Sequence, residues 1–136
     1  MNRTYHVDGT IPKDDSIFVF GSNTQGIHGA GAAKMAREHF GAKLRMADGL
    51  CGQSYAIPTR DMVAKNHFEN LKLSIIKINI EKFITFANDN ERMSFYLTRV
   101  ACGLAGYHDS VIAPLFSGCR TNCSFPQNWK IFLDGM

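Results

Sequence analysis

The stretch Ser16-Ile17-Phe18-Val19-Phe20-Gly21-Ser22-Asn23-Thr24-Gln25-Gly26-Ile27-His28-Gly29-Ala30-Gly31-Ala32-Ala33 decides the fold. It opens on an apolar, β-prone run, Ser16 to Phe20, which Gly21 bounds and which reads as a buried strand. A polar, glycine-bearing segment follows from Ser22 to Gly31. Beyond it Ala32, Met35, Ala36, His39 and Phe40 recur at helical spacing, and Gly41 supplies a natural stop. Strand, glycine loop, helix is the building unit of α/β sheets. Such sheets hold ligands at the carboxyl ends of their strands, in the strand-to-helix loops.

The rest of the chain extends the pattern. Ser54 to Ile57 reads as a short strand ended by Pro58, after a glycine-containing connection from Asp48 to Gly52. Residues 61–68 are polar and read as a loop. Leu73, Ile76, Ile80, Phe83, Ile84 and Ala87 repeat at three and four, predicting an amphipathic helix over 69–88. Phe95 to Val100 is a second strand, and Cys102 to Gly106 is a second small-residue loop. A short helix is expected from Asp109 to Phe116, capped by Asp109 or Ser110 and limited by Pro114. Trp129 to Leu133 reads as a last strand. The expectation is one α/β domain over residues 1–136, with helices on both faces of the sheet.

Composition narrows the classes. The chain has 136 residues, 45% hydrophobic and 20% charged, which suits one folded domain and argues against disorder. No apolar run approaches the ~20 residues of a membrane span, and Met1 to His6 lacks the apolar core of a secretory signal. The expected location is therefore the cytoplasm, with no membrane partner. Fifteen basic and twelve acidic residues leave a formal charge of +3, too weak to argue nucleic acid as a partner. Lys34, Arg37, Lys43 and Arg45 form a small basic run that reads as a solvated face. Cys51, Cys102, Cys119 and Cys123 read as free thiols in a reducing compartment, and one Cys-x-x-x-Cys pair without further paired ligands implies no metal site.

Three segments carry chemistry. In the first loop Gly29, Ala30 and Gly31 stand where a helix begins, so a phosphate can reach its unpaired N–H groups; the same small residues also suit close helix–sheet packing. Asn23 can bond a ligand hydroxyl or form an Asx-turn, and His28 is a candidate acid or base or simply an exposed loop residue. In the middle segment Thr59, Arg60 and Asp61 follow the Ser54 strand. Arg60 offers a phosphate fork or transition-state charge, Asp61 a base, and together they also make an ordinary surface pair. In the last, Gly103 and Gly106 free the backbone, with Leu104 and Ala105 between them. Tyr107 can bridge to a sugar or sit half-buried with its hydroxyl satisfied, and His108 is a further acid–base candidate beside Asp109.

Asn23, the His28-Gly29-Ala30-Gly31-Ala32-Ala33 loop and the Cys102-Gly103-Leu104-Ala105-Gly106-Tyr107 loop together resemble macro domains, most of all the ADP-ribose glycohydrolase branch. Pro58-Thr59-Arg60 is similar to that branch's Pro-Thr-Lys. The whole set also resembles small proteins common in tailed bacteriophages and some bacteria, which share the Phe-Gly-Ser-Asn start and the Tyr-Ala-Ile-Pro-Thr middle. The resemblance spans roughly residues 16–129. It implies a three-layer α/β/α fold with a mixed central sheet and an ADP-ribose-shaped crevice whose two glycine loops flank the diphosphate. It implies no cofactor and no metal.

Two positions depart from the glycohydrolases. Arg60 stands near their lysine, and Arg cannot act as an amine nucleophile. Ala105 stands where they carry an Asp. The expected function is therefore a reader or sequestering module for ADP-ribose or a related nucleotide, in the host cytoplasm if phage-encoded. The alternatives are a hydrolase of an ADP-ribosyl or related bond, using Asn23, Asp61, His28 or His108, and a phage accessory protein that binds a host partner without catalysis.

Overall fold

A computed structural model describes residues 2–65, 67–103 and 105–135. Seven strands form one mixed sheet: β1 (Thr4–His6), β2 (Ile17–Asn23), β3 (Gly49–Cys51), β4 (Ser54–Ala64), β5 (His67–Asn70), β6 (Phe95–Leu97) and β7 (Cys123–Pro126). Their order is β1-β7-β6-β2-β4-β3, with β5 also on β4. The five strands β1, β7, β6, β2 and β4 are parallel, while β3 and β5 run antiparallel to β4. The described residues also form four helices: α1 (Gly31–His39), α2 (Leu73–Asp89), α3 (Asp109–Ile112), continued by a 3-10 turn over Ala113–Phe116, and α4 (Lys130–Asp134).

Strand alternation divides the core. On β2, Phe18 and Phe20 face α1 with Ala36, Phe40 and Ala56. Ile17 and Val19 face the other side, where Ile76, Ile80, Phe83 and Ala87 of α2 pack with Phe116, Phe125 and Trp129. Helices on both faces make the three α/β/α layers expected from the alternating pattern. Among the described residues, no helix is long and apolar enough to cross a membrane.

Several elements differ from their sequence reading. Pro58 does not end its strand: β4 continues to Ala64 and turns back into β5, so the 61–68 stretch is mostly a hairpin. Pro58 is tolerated because it lies between Ala56, where β3 stops pairing, and Arg60, where β5 starts. The hairpin is exposed on much of both faces, which removes the alternation that marks a strand. The amphipathic helix begins at Leu73 rather than 69, because His67–Asn70 is committed to β5. The second strand stops at Leu97. The segment Trp129 to Leu133 is not a strand. Pro126 ends β7, a 3-10 turn over Gln127–Trp129 leads into α4, and Gly135 stops that helix at φ 74. The cap of α3 is His108, whose Nδ1 accepts from the Ser110 N–H, not Asp109 or Ser110.

The strands β1, β3 and β7 had no sequence signal. β1 is an outer strand, and its neighbourhood ties to α4: Arg3 donates to the Asp134 carboxylate at 2.7 Å, and the Tyr5 hydroxyl donates to its other oxygen at 2.6 Å.

Candidate functional site

A crevice of about 700 Å³ opens at the carboxyl ends of β1, β2, β4 and β6. The parallel strands fix its place, because their following loops leave the sheet on one edge. Its base is tight. A methyl group on Gly21 would stand 3.3 Å from Thr59 Oγ1 and 3.4 Å from the Ala101 backbone nitrogen. Ala101 is buried with φ 64, a left-handed conformation that is costly for alanine. The Tyr107 N–H donates to its carbonyl at 2.9 Å and holds it there.

The loop after β2 forms one wall. Asn23 lines the crevice, but its amide is spent locally: Nδ2 donates to the Ile27 carbonyl at 2.7 Å, and Oδ1 accepts from the N–H groups of Ile27 and Gln25. It builds the loop as an Asx-turn does. His28 is not an exposed loop residue and does not line the crevice. It is buried, meets Phe20 edge-on at 5.4 Å, and its Nε2–H donates to the Lys43 carbonyl at 3.0 Å. Burial, with a smaller push from Arg37, holds its pKa below the usual histidine value. Gly26 fastens the same loop: its carbonyl accepts from Arg45 N–H at 2.9 Å, at a φ of 67.

That loop delivers the start of α1 into the crevice. Gly29, Ala30, Gly31, Ala32 and Ala33 all line it. The first intrahelical bond runs from Lys34 N–H to the Ala30 carbonyl, so the N–H groups of Gly31, Ala32 and Ala33 precede the ladder. Ala30 sits in the extended conformation of an N-cap, yet no side chain caps the helix and no acid occupies its first turn. The result is an uncompensated positive end with almost no side chain in front of it.

β4 supplies Thr59 and Arg60. Thr59 is buried and donates to the Ser22 carbonyl at 3.2 Å. Arg60 lines the crevice with its guanidinium 5.3 Å from the centre of the Phe68 ring. Asp61 is turned elsewhere and accepts from the Thr24 hydroxyl. From the second small-residue loop, Gly103 and Ala105 line the crevice, whereas Gly106 and Tyr107 are not among its lining residues. The Tyr107 hydroxyl donates to the Leu71 carbonyl at 2.7 Å and its ring packs on the core. Leu104 lies outside the described residues. His108 is occupied as the α3 cap.

His6, Asp8, Thr98 and Arg99 also line the crevice, and His6, Thr98 and Arg99 carry no local signal in the sequence. Arg99 is clamped by Asp109, through Nε at 2.9 Å and Nη2 at 2.6 Å, and its Nη1 lies 3.8 Å from Asp8. Asp109 also accepts from Trp129 Nε1 at 2.6 Å. Arg99 and then Trp129 hold its carboxyl below the usual carboxylate range, so it is a structural anion and not a partner of His108. Cys102 sits beside this cluster. Burial, then the Asp109 charge, pushes its thiol up to about 12, which keeps it in the thiol form at neutral pH. His6 stacks on Tyr96 at 3.6 Å and bridges Ser124 and the Leu97 carbonyl.

No family model and no curated protein matches the chain. A solved structure of a protein of unknown function from Bacteroides thetaiotaomicron is similar over 93% of this chain and 98% of that one, with a TM-score of 0.61 and 12% identity. The likeness is one of fold. It supports the mixed α/β architecture described above.

Proposed function

We propose that the chain binds a diphosphate nucleotide of the ADP-ribose kind in this crevice, as a reader or sequestering module. The observation that carries the reading is the uncapped start of α1, with Ala30 to Ala33 forming one wall of a crevice of nucleotide size. The residue types of the macro-domain resemblance name ADP-ribose among such ligands. Asp8 is the one carboxylate lining the crevice among the described residues, and it can accept from an exocyclic amine of the base.

Binding without turnover is favoured because the acid–base candidates are engaged elsewhere. His28 is buried under the loop, Asp61 accepts from Thr24, His108 caps α3, and both ends of the Asn23 amide bond the loop backbone. None is free to move a proton at a ligand in the crevice. The test is calorimetric titration with ADP-ribose, followed by chromatography of the same sample. Micromolar binding with the ligand recovered intact is the expected result. Recovery of ribose or phosphate products would replace the reader with a hydrolase, and no heat would remove the nucleotide.

A further inference from the structure

We propose that Arg60 is the anion fork of the crevice and makes it select nucleotides bearing a diphosphate over those bearing one phosphate. This rests on the nucleotide reading above and assigns the determinant of its specificity.

Two arginines line the crevice, and they differ in what already holds them. Arg99 has Nε and Nη2 on Asp109 and Nη1 near Asp8, so its charge is spent within the protein. Arg60 makes no ion pair among the described residues. Its Nε is buried and has no hydrogen-bond partner. A buried, unmet N–H is costly on a group that keeps its charge, and natural structures rarely leave one without a reason. The Phe68 ring lies 5.3 Å from the guanidinium carbon, a cation–π contact that uses none of its donors.

The backbone that carries Arg60 is held from both sides. Its carbonyl accepts from Thr24 N–H at 2.9 Å, and it pairs in register with Asn23 on β2 and Asn70 on β5. The side chain therefore starts from a fixed point and rests on a fixed ring. With Nε buried, the two terminal Nη groups are the donors a ligand can reach, and they form a planar fork that matches two oxygens of one phosphate. The first turn of α1, lining the same crevice, offers backbone N–H groups to another. A guanidinium and a helix start, separately built into one crevice, suit two linked phosphates better than one.

The test compares ADP with AMP, and inorganic pyrophosphate with phosphate, by calorimetry on the native chain and on R60Q and R60K. The Arg60 Nε–H resonance is followed by NMR in parallel. The native chain is expected to prefer ADP to AMP by about tenfold or more, and R60Q to weaken ADP by about 10- to 100-fold while moving AMP little. R60K, a point charge without the fork, recovers only part of the preference. Matching thermal melting curves establish that the variants are folded. If ADP binds while R60Q leaves its affinity unchanged and the Nε–H stays still, the fork is wrong and the nucleotide reading survives. If no nucleotide binds but pyrophosphate moves the Nε–H and R60Q abolishes that, the fork stands and the nucleotide reading falls. If neither pyrophosphate nor any nucleotide binds, both fall.

Discussion

Replacing Ala30 with Asp should make the protein more stable and its crevice unable to hold a phosphate. Ala30 has φ −153 and ψ 163, the extended geometry from which an N-cap side chain reaches the helix, and nothing caps α1 now. An Asp there accepts from an N–H two or three residues on, which is worth about 0.5–2 kcal/mol over alanine. Its charge adds about 0.3–1 kcal/mol against the helix dipole. In a chain of this size each kcal/mol raises Tm by about 3–5 °C. The same carboxylate stands where the ligand's phosphate would. Two like charges about 4 Å apart repel by about 4 kcal/mol at an effective dielectric near 20, a loss of about a thousandfold in affinity. Ala30→Ser separates the two effects: it caps without a charge and should weaken binding far less. The assays are thermal melting and titration with ADP-ribose. An Ala30→Asp protein that melts higher and still binds ADP-ribose as tightly as before would refute the assignment of the phosphate to this helix start.

Other consequences follow from the loops and the thiols. Gly26→Ala should destabilise by about 2–4 kcal/mol in urea unfolding, because a Cβ there would sit 2.6–2.8 Å from Arg45 backbone atoms at a φ of +67; a loss under half a kcal/mol would contradict the packing. His28 and His6 both have folded pKa values below the ordinary histidine value, so the unfolded chain binds more protons, and their contribution to stability fades as pH falls below about 6.5. His28→Gln should therefore flatten part of the slope of stability against pH on the acid side, and an unchanged slope would place the titration elsewhere. Cys51 and Cys102 are both half-buried, and burial with the Asp109 charge pushes the Cys102 thiol up to about 12. Iodoacetamide at pH 8 should label Cys51 well before Cys102, and equal rates by mass spectrometry would count against the Asp109 environment assigned to Cys102.

Much of the fold was legible where burial imposes a period. Phe18 and Phe20 alternate with Ile17 and Val19 because β2 is covered on both faces, and Ile76, Ile80, Phe83 and Ala87 mark α2 because one stripe of it is covered. The hairpin stretch over 61–68 reads as a loop for the opposite reason: its residues are largely exposed and carry no alternation. Trp129 to Leu133 has a strand's composition, and only the break at Pro126 and the stop at Gly135 tell otherwise. In the site, Gly29 to Gly31 are legible because they follow β2, whereas Thr59 and Arg60 line the crevice from inside β4, although Pro58 reads as the end of that strand. His28, Tyr107 and His108 were weighed by side-chain capability, and sequence gives capability without direction. His6 was beyond reach, since β1 joins the crevice only by pairing with β7, from far along the chain, and Thr98 and Arg99 read as part of the strand from Phe95 to Val100, which stops at Leu97.

That last pairing has a consequence for how the protein is made. Thr4 to His6 leave the ribosome long before their partner strand Cys123–Pro126, and Arg3 and Tyr5 long before Asp134, to which they are fastened. The middle strands can assemble as they emerge, but Thr4 to His6 must wait, unpaired, until β7 is made. The wall that carries Asp8 is thus added after β2, β4 and β6. A nascent chain halted before β7 would display the start of α1 and Arg60 without the side of the crevice that Asp8 provides, so ligand binding reports that β7 has been made and paired.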